Sequence, residues 1–251
     1  MGLSGRGIHR MRDAIREGLY GLEVKLRLRG MGNLLVIFDL DGTLLNTISD
    51  LGHACNYALR RMEFPEHAIS EYNRMVGNGL RNLIIRAAPK GTSPEIIDLL
   101  VAYCKEYYNE HCTDTTVPYP GIPELLKELS DRGVKIAVAS NKYQAAVETV
   151  VSYYFPDIPF FSIQGQIDNR PIKPDPAIIE SILEEDKTIE KQNVMMVGDS
   201  GVDMITAARA GVRSVGVTWG FRPVSELREA SAQFIITHPS QLLKLTVREN
   251  T

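Results

Sequence analysis

Short apolar runs alternate with amphipathic stretches along most of this chain. Residues 34–38, LLVIF, are consecutive apolar positions of the kind expected for a short strand buried on both faces. From residue 49 to about 112 only helical spacing is found. Leu51, Ala54, Cys55, Ala58 and Met62 recur on one face, then Leu80, Leu83, Ile84 and Ala87, then a longer segment to 111 that Pro94 opens. From Gly121 onward helix and strand take turns. Helices are expected at 122–131, 143–154, 176–185 and 202–210, and strands at 134–139, 160–163, 194–197, 212–217 and 234–236, before a C-terminal helix.

This order predicts an α/β fold, a doubly wound (Rossmann-like) and mostly parallel sheet with an inserted α-helical cap domain. The cap is expected over residues 48–117, hinged near 46–48 and at the PYPG stretch 118–121. The core domain then comprises 31–47 and 118–251. Residues 1–30 stand apart as a basic extension, with seven Arg or Lys against three acids. Ile8, Met11, Ile15, Leu19, Leu22 and Leu26 would line one helical face there, weakened by Gly18 and Gly21.

Composition narrows the class of function. A net charge of -3 with 24% charged residues gives no electrostatic case for nucleic acid. Apolar runs are too short for a membrane span. Cys55, Cys104 and Cys112 are odd in number and lack CxxC spacing, so neither a disulfide framework nor a structural zinc site is expected. A cytoplasmic location follows as the default. Monomer and dimer are both compatible with these residues.

The candidate chemistry lies where strands end. Asp39 and Asp41 follow the first strand; Ser140-Asn141-Lys142 follow the strand at 134–139; Lys173-Pro174 precede a helix; Gly198-Asp199-Ser200 and Asp203 follow the strand at 194–197. Each has an ordinary reading, since DG is a turn dipeptide and a serine after a strand usually caps a helix. In an open parallel sheet, however, the carboxyl ends of the strands share one crevice, which brings all four signals together. Within the helical block, the Gly77-Asn78-Gly79 turn precedes Arg81, a cation that would face the site when a lid closes. The alternative is a plain turn with a solvated arginine.

These motifs, Asp39-x-Asp41-Gly42-Thr43, Ser140-Asn141-Lys142, Lys173-Pro174 and Gly198-Asp199-Ser200 with Asp203, resemble those of the haloacid dehalogenase-like phosphohydrolase superfamily, and of its phosphoglycolate phosphatases above all. The resemblance covers about residues 34–244. It implies a phosphatase acting on a small phosphorylated metabolite through an aspartyl phosphate, with Asp39 as nucleophile and Asp41 as general acid and then base. It implies Mg²⁺ held by the Asp39 carboxylate, the Asp41 carbonyl and Asp199, with Asp203 holding the metal's waters or Lys173. Gly42, Thr43, Ser140, Asn141 and Lys173 are placed by the same resemblance at the phosphate. Pyrophosphate or a nucleotide would be chemically as easy a substrate, and a phosphosugar mutase would keep both acids. A haloalkanoic acid dehalogenase lacks the second acid, and a non-catalytic phosphate binder would be expected to have lost one.

Overall fold

The computed structural model describes residues 34–246, so the extension 1–30, the helical face expected in it, and residues 31–33 and 247–251 lie outside the described part. Strand β1 (Leu35–Phe38) stands at the centre of a six-stranded sheet. β4 (Lys135–Tyr143) and β5 (Ser162–Gln166) lie to one side of it, and β6 (Val194–Gly198), β7 (Arg213–Val217) and β8 (Phe234–Ile236) to the other. The order is β5-β4-β1-β6-β7-β8 and every neighbouring pair is parallel. Because the winding reverses beside β1, a crevice opens at its carboxyl end.

The alternation of side chains along β1 explains why both faces are covered. Leu35 and Ile37 pack with Ile178, Ile182 and Ala207 of the helices Ala177–Glu184 and Gly201–Ala210. Val36 and Phe38 belong to the opposite core, with Leu126 and Val147 of the helices Ile122–Asp131 and Gln144–Tyr154. A strand apolar at every position therefore has no free face.

Between β1 and β4 lie the helices Ile48–Arg61, Leu80–Ala87 and Pro94–His111 and a 3-10 turn at Ile69–Arg74. Both crossings into this helical block pass through a ribbon, β2 (Leu45–Asn46) antiparallel to β3 (Val117–Pro118), with Leu45 opposite Pro118. Two residues per strand are too few to show periodicity, which is why the sequence reading missed the pair. The ribbon is anchored by Asp50. Its buried carboxylate accepts from Thr115 N (3.0 Å), Thr116 N (2.9 Å) and Thr116 Oγ1 (2.7 Å), and from Thr115 Oγ1.

Three other elements depart from expectation. β4 continues four residues past Ala139, with its register to β5 shifting between Ala139 and Tyr143, so Ser140, Asn141 and Lys142 sit on an irregular strand extension. β5 begins at Ser162 and not at Phe160. The short helix Val224–Glu229 buries only Leu227, too little for a helical pattern. No described helix is long and apolar enough to cross a membrane.

Asp50→Ala would remove the acceptor of four donors on residues 115 and 116, the two on Thr116 being buried, and is expected to destabilise the protein by about 3 kcal/mol, read from urea unfolding midpoints. An unchanged midpoint would show that the ribbon does not depend on this anchor.

Candidate active site

Asp39 follows β1 directly and its N–H still donates to the Val197 carbonyl of β6 at 2.8 Å, so the ladder fixes its backbone. Its Oδ1 accepts from Lys173 Nζ at 2.8 Å, and the same ammonium lies 2.6 Å from Asp203 Oδ1. Lys173 is itself 2% exposed, which makes this a fully desolvated cluster. Asn141 holds the lysine backbone from both sides, accepting from Lys173 N at 2.8 Å and donating to its carbonyl at 3.0 Å. Asp203 Oδ2 accepts from Ser200 N at 3.2 Å and Ser200 Oγ at 2.7 Å, at the start of the helix Gly201–Ala210. Its two oxygens are thereby divided between the helix terminus and Lys173.

Asp199 completes the group: the carboxylate oxygens of Asp39, Asp199 and Asp203 lie within 4.8 Å of one another. Its Oδ2 accepts from Phe221 N at 2.7 Å. Two glycines permit this placement. Gly42 has a φ of +89°, and a Cβ there would overlap the Asp199 carboxylate; a Cβ at Gly220 would overlap both that carboxylate and the Gly42 carbonyl.

Burial first, then the neighbouring Asp203 and Asp41, push Asp39 from 3.8 up to about 7 against the pull of Lys173. Burial, then Asp203 and Asp39, raise Asp199 well above the usual carboxylate range. Burial works to lower Lys173, but Asp203 and Asp39 outweigh it and hold the ammonium above its ordinary value. Were all three carboxylates ionised, the one ammonium would leave two negative charges uncompensated in a buried cluster. A divalent cation with a preference for hard oxygen donors, as Mg²⁺ has, fits that donor set and that deficit.

Asp41 stands apart from these acids in its partners. Its Oδ1 accepts from Thr47 Oγ1 at 2.7 Å and pairs with Lys142 Nζ at 2.9 Å. Lys142 is buried and its ammonium also lies 4.6 Å from the centre of the Tyr108 ring. Asp39, Asp41, Ser140 and Asn141 line one cavity, roofed from the helical block by Leu51, Val76, Leu80, Leu83 and Tyr108. Ser140 Oγ accepts from Lys142 N at 3.2 Å. Two core side chains also reach the helical block's glycine turn: Arg222 donates to the Val76 carbonyl at 2.7 Å and Asn141 to that of Gly77 at 3.1 Å.

The structure thus brings Asp39, Asp41, Ser140, Asn141, Lys173, Asp199 and Asp203 to one sheet edge. Thr43 is fully buried, with its Oγ1 unpartnered and its carbonyl accepting from Trp219 Nε1 at 3.0 Å. Arg81 is not among the residues that line the cavity. Its side chain is 48% exposed and its guanidinium pairs with Asp98 outside the cavity, because the helix starting at Leu80 turns it toward Pro94–His111.

Sequence reasoning named Lys142 only within its motif and gave it no role, and did not single out Tyr108 or the Trp219-Gly220-Phe221-Arg222 loop. The last had an available signal, since it follows β7 at the same carboxyl edge. Tyr108 had none, being one aromatic among several on a long helix.

A profile of the haloacid dehalogenase-like hydrolase family matches residues 36–217. The chain belongs to this family. It is 31% identical over 219 residues to a phosphoglycolate phosphatase of Vibrio vulnificus, covering 85% of this chain and 96% of that protein. With the phosphoglycolate phosphatase of Haemophilus influenzae the identity is 32% over 218 residues, 84% of this chain and 97% of that one. A crystal structure from Lactobacillus delbrueckii subsp. bulgaricus, of a protein provisionally assigned as a phosphoglycolate phosphatase, superposes with a TM-score of 0.80 at 28% identity. It covers 86% of this chain and 99% of its own.

Lys173→Met would leave Asp39 and Asp203 buried without their cation and is expected to destabilise by about 4 kcal/mol in chemical denaturation. A loss within error of zero would contradict the bridging role. For the metal-free protein, Asp39 has a folded value of about 7, above its ordinary 3.8. Its contribution to stability is therefore complete below the ordinary value and lost as pH rises through the folded one. Wild type minus Asp39→Asn stability should fall over that interval; a flat difference would refute it.

Proposed function

We propose that this chain is a Mg²⁺-dependent phosphatase that hydrolyses small phosphate monoesters through an aspartyl phosphate on Asp39. The observation that supports this most is the buried excess of negative charge around one oriented carboxylate. A nucleophile meeting a phosphate dianion there faces repulsion of about 4 kcal/mol per pair of unit charges at 4 Å and an effective dielectric near 20. Cations must offset it. Mg²⁺, held by Asp39, Asp199 and the Asp41 carbonyl, would supply Lewis-acid neutralisation of the phosphoryl oxygens.

The protein's own groups divide the remaining work. Lys173 holds Asp39 Oδ1, which leaves Oδ2 without a hydrogen bond among the described residues and available to attack phosphorus. As the new O–P bond forms, the bond to the leaving oxygen breaks. Asp41, in its protonated form, gives its proton to that oxygen. In the second half Asp41 takes a proton from water, hydroxide attacks phosphorus, and the bond to Asp39 breaks to release phosphate. Ser140 and Lys173 stabilise the phosphoryl oxygens, and Asp203 acts by holding Lys173.

Helices roofing the cavity would act as a cap that excludes water, over residues 48–117. The cavity between the acids and this roof is small, which suits a small metabolite. A cytoplasmic setting accords with such a substrate and with three free cysteines. The names of the relatives make 2-phosphoglycolate the first natural substrate to test.

Magnesium-dependent phosphate release from p-nitrophenyl phosphate is expected, and EDTA should abolish it. Asp39→Asn should lower kcat by roughly 10³-fold or more. Asp41→Asn should accumulate covalent phosphoenzyme from the same good leaving group, seen as one added phosphoryl group by acid-quenched mass spectrometry. An Asp39→Asn protein with full activity would end this reading.

A further inference from the structure

The two carboxylates that do the chemistry are each held by a lysine at one oxygen. Lys173 takes Asp39 by Oδ1 at 2.8 Å, and Lys142 takes Asp41 by Oδ1 at 2.9 Å, where Thr47 Oγ1 also donates at 2.7 Å. The first pairing already has its place in the reaction; the second has none. The Lys142 and Asp41 side chains are 3% and 12% exposed, so solvent screens their attraction only weakly. Both contacts fall on the same Asp41 oxygen. An oxygen that accepts from a hydroxyl and faces an ammonium is the poorer seat for a proton, so the proton that Asp41 carries belongs on Oδ2.

Lys142 is itself fixed from two directions. Its N–H donates to Ser140 Oγ at 3.2 Å on the irregular extension of β4, and its ammonium lies 4.6 Å from the centre of the Tyr108 ring on the roofing helix Pro94–His111. Thr47 stands between β2 and the helix Ile48–Arg61, at a crossing into the same helical block. Both partners of Asp41 are thus placed by the roof or its doorway, whereas the Lys173 that holds Asp39 is placed by core segments. The clamp matters because the terminal torsion of an aspartate is broad and nearly two-fold, so an unheld carboxyl exchanges its oxygens.

We propose that Lys142 is a positioning residue for the proton donor: with Thr47 it clamps Asp41 by Oδ1, so that Oδ2 gives a proton to the leaving oxygen and later takes one from water. This rests on the phosphatase reading above and deepens it. In the first half the proton passes from Oδ2 to the leaving oxygen as the ester O–P bond breaks, and the carboxylate so formed stays paired with the ammonium, which keeps its three protons. In the second half that carboxylate removes a proton from water as the water oxygen bonds to phosphorus and the Asp39–P bond breaks. The ion pair in the structure is the arrangement shared by the end of one half and the start of the next.

Lys142→Met keeps an unbranched chain beneath the Tyr108 ring and removes the charge. Its kcat/KM should fall about tenfold or more for phenyl phosphate, whose basic leaving group needs a proton, and no more than about threefold for p-nitrophenyl phosphate, a similar ester whose phenolate leaves without one. With p-nitrophenyl phosphate the variant should accumulate phosphoenzyme, because the displaced carboxylate serves poorly as base. Added to Asp41→Asn, it should cost no more than about twofold further in kcat, since it acts through Asp41. Thr47→Val removes the other contact on Oδ1 while leaving the ion pair, and should show the same pattern to a smaller degree; it is the test if Lys142→Met does not fold. Equal losses on both esters without phosphoenzyme, or full additivity with Asp41→Asn, would overturn this inference while the phosphatase reading stands. No turnover of p-nitrophenyl phosphate by the wild type would overturn both.

Discussion

One ammonium between two carboxylates holds the site together. Lys173 meets Asp39 at 2.8 Å and Asp203 at 2.6 Å, with all three side chains buried. The partners come from the end of β1, from the loop before the helix Ala177–Glu184 and from the first turn of the helix Gly201–Ala210. None of these segments could place its charge there alone, since an unpaired buried ion costs several kcal/mol. The doubly wound sheet makes the meeting possible by delivering β1 and β6 as hydrogen-bonded neighbours, so that Asp39 and Asp199 emerge side by side.

The acids and the helical roof are coupled through two short segments. Asn141 binds the Lys173 backbone and also the Gly77 carbonyl. Phe221 binds Asp199 while the adjacent Arg222 reaches Val76. Any shift of the glycine turn over the cavity is therefore felt by the groups that orient the lysine and the third acid. The acid cluster and the roof are joined by a contiguous set of hydrogen bonds, the kind of network that can carry coupling.

Much of the fold was legible because buried parallel strands write a strong signal. The runs at 34–38, 194–197 and 234–236 coincide with observed strands to within a residue, and the helix at 122–131 matches end for end. What escaped was short or set by distant contacts. The ribbon of β2 and β3 has too few residues for a pattern, and the extension of β4 through Lys142 depends on a local irregularity against β5. At the site, the acids and Lys173 could be placed because strand ends converge. Arg81 could not, because the direction of a helical side chain depends on the helix packed beside it, here the one carrying Asp98.

The ribbon has a consequence for how such proteins diversify. Both connections to the helical block leave the sheet as adjacent antiparallel strands, with Asn46 directly opposite Val117. The ends of the block are thus held at a fixed, short separation that does not depend on what lies between them. Foreign segments of quite different length could be spliced at this doorway without disturbing strand registry, so the choice of alcohol can evolve while the phosphoryl-handling edge is inherited intact.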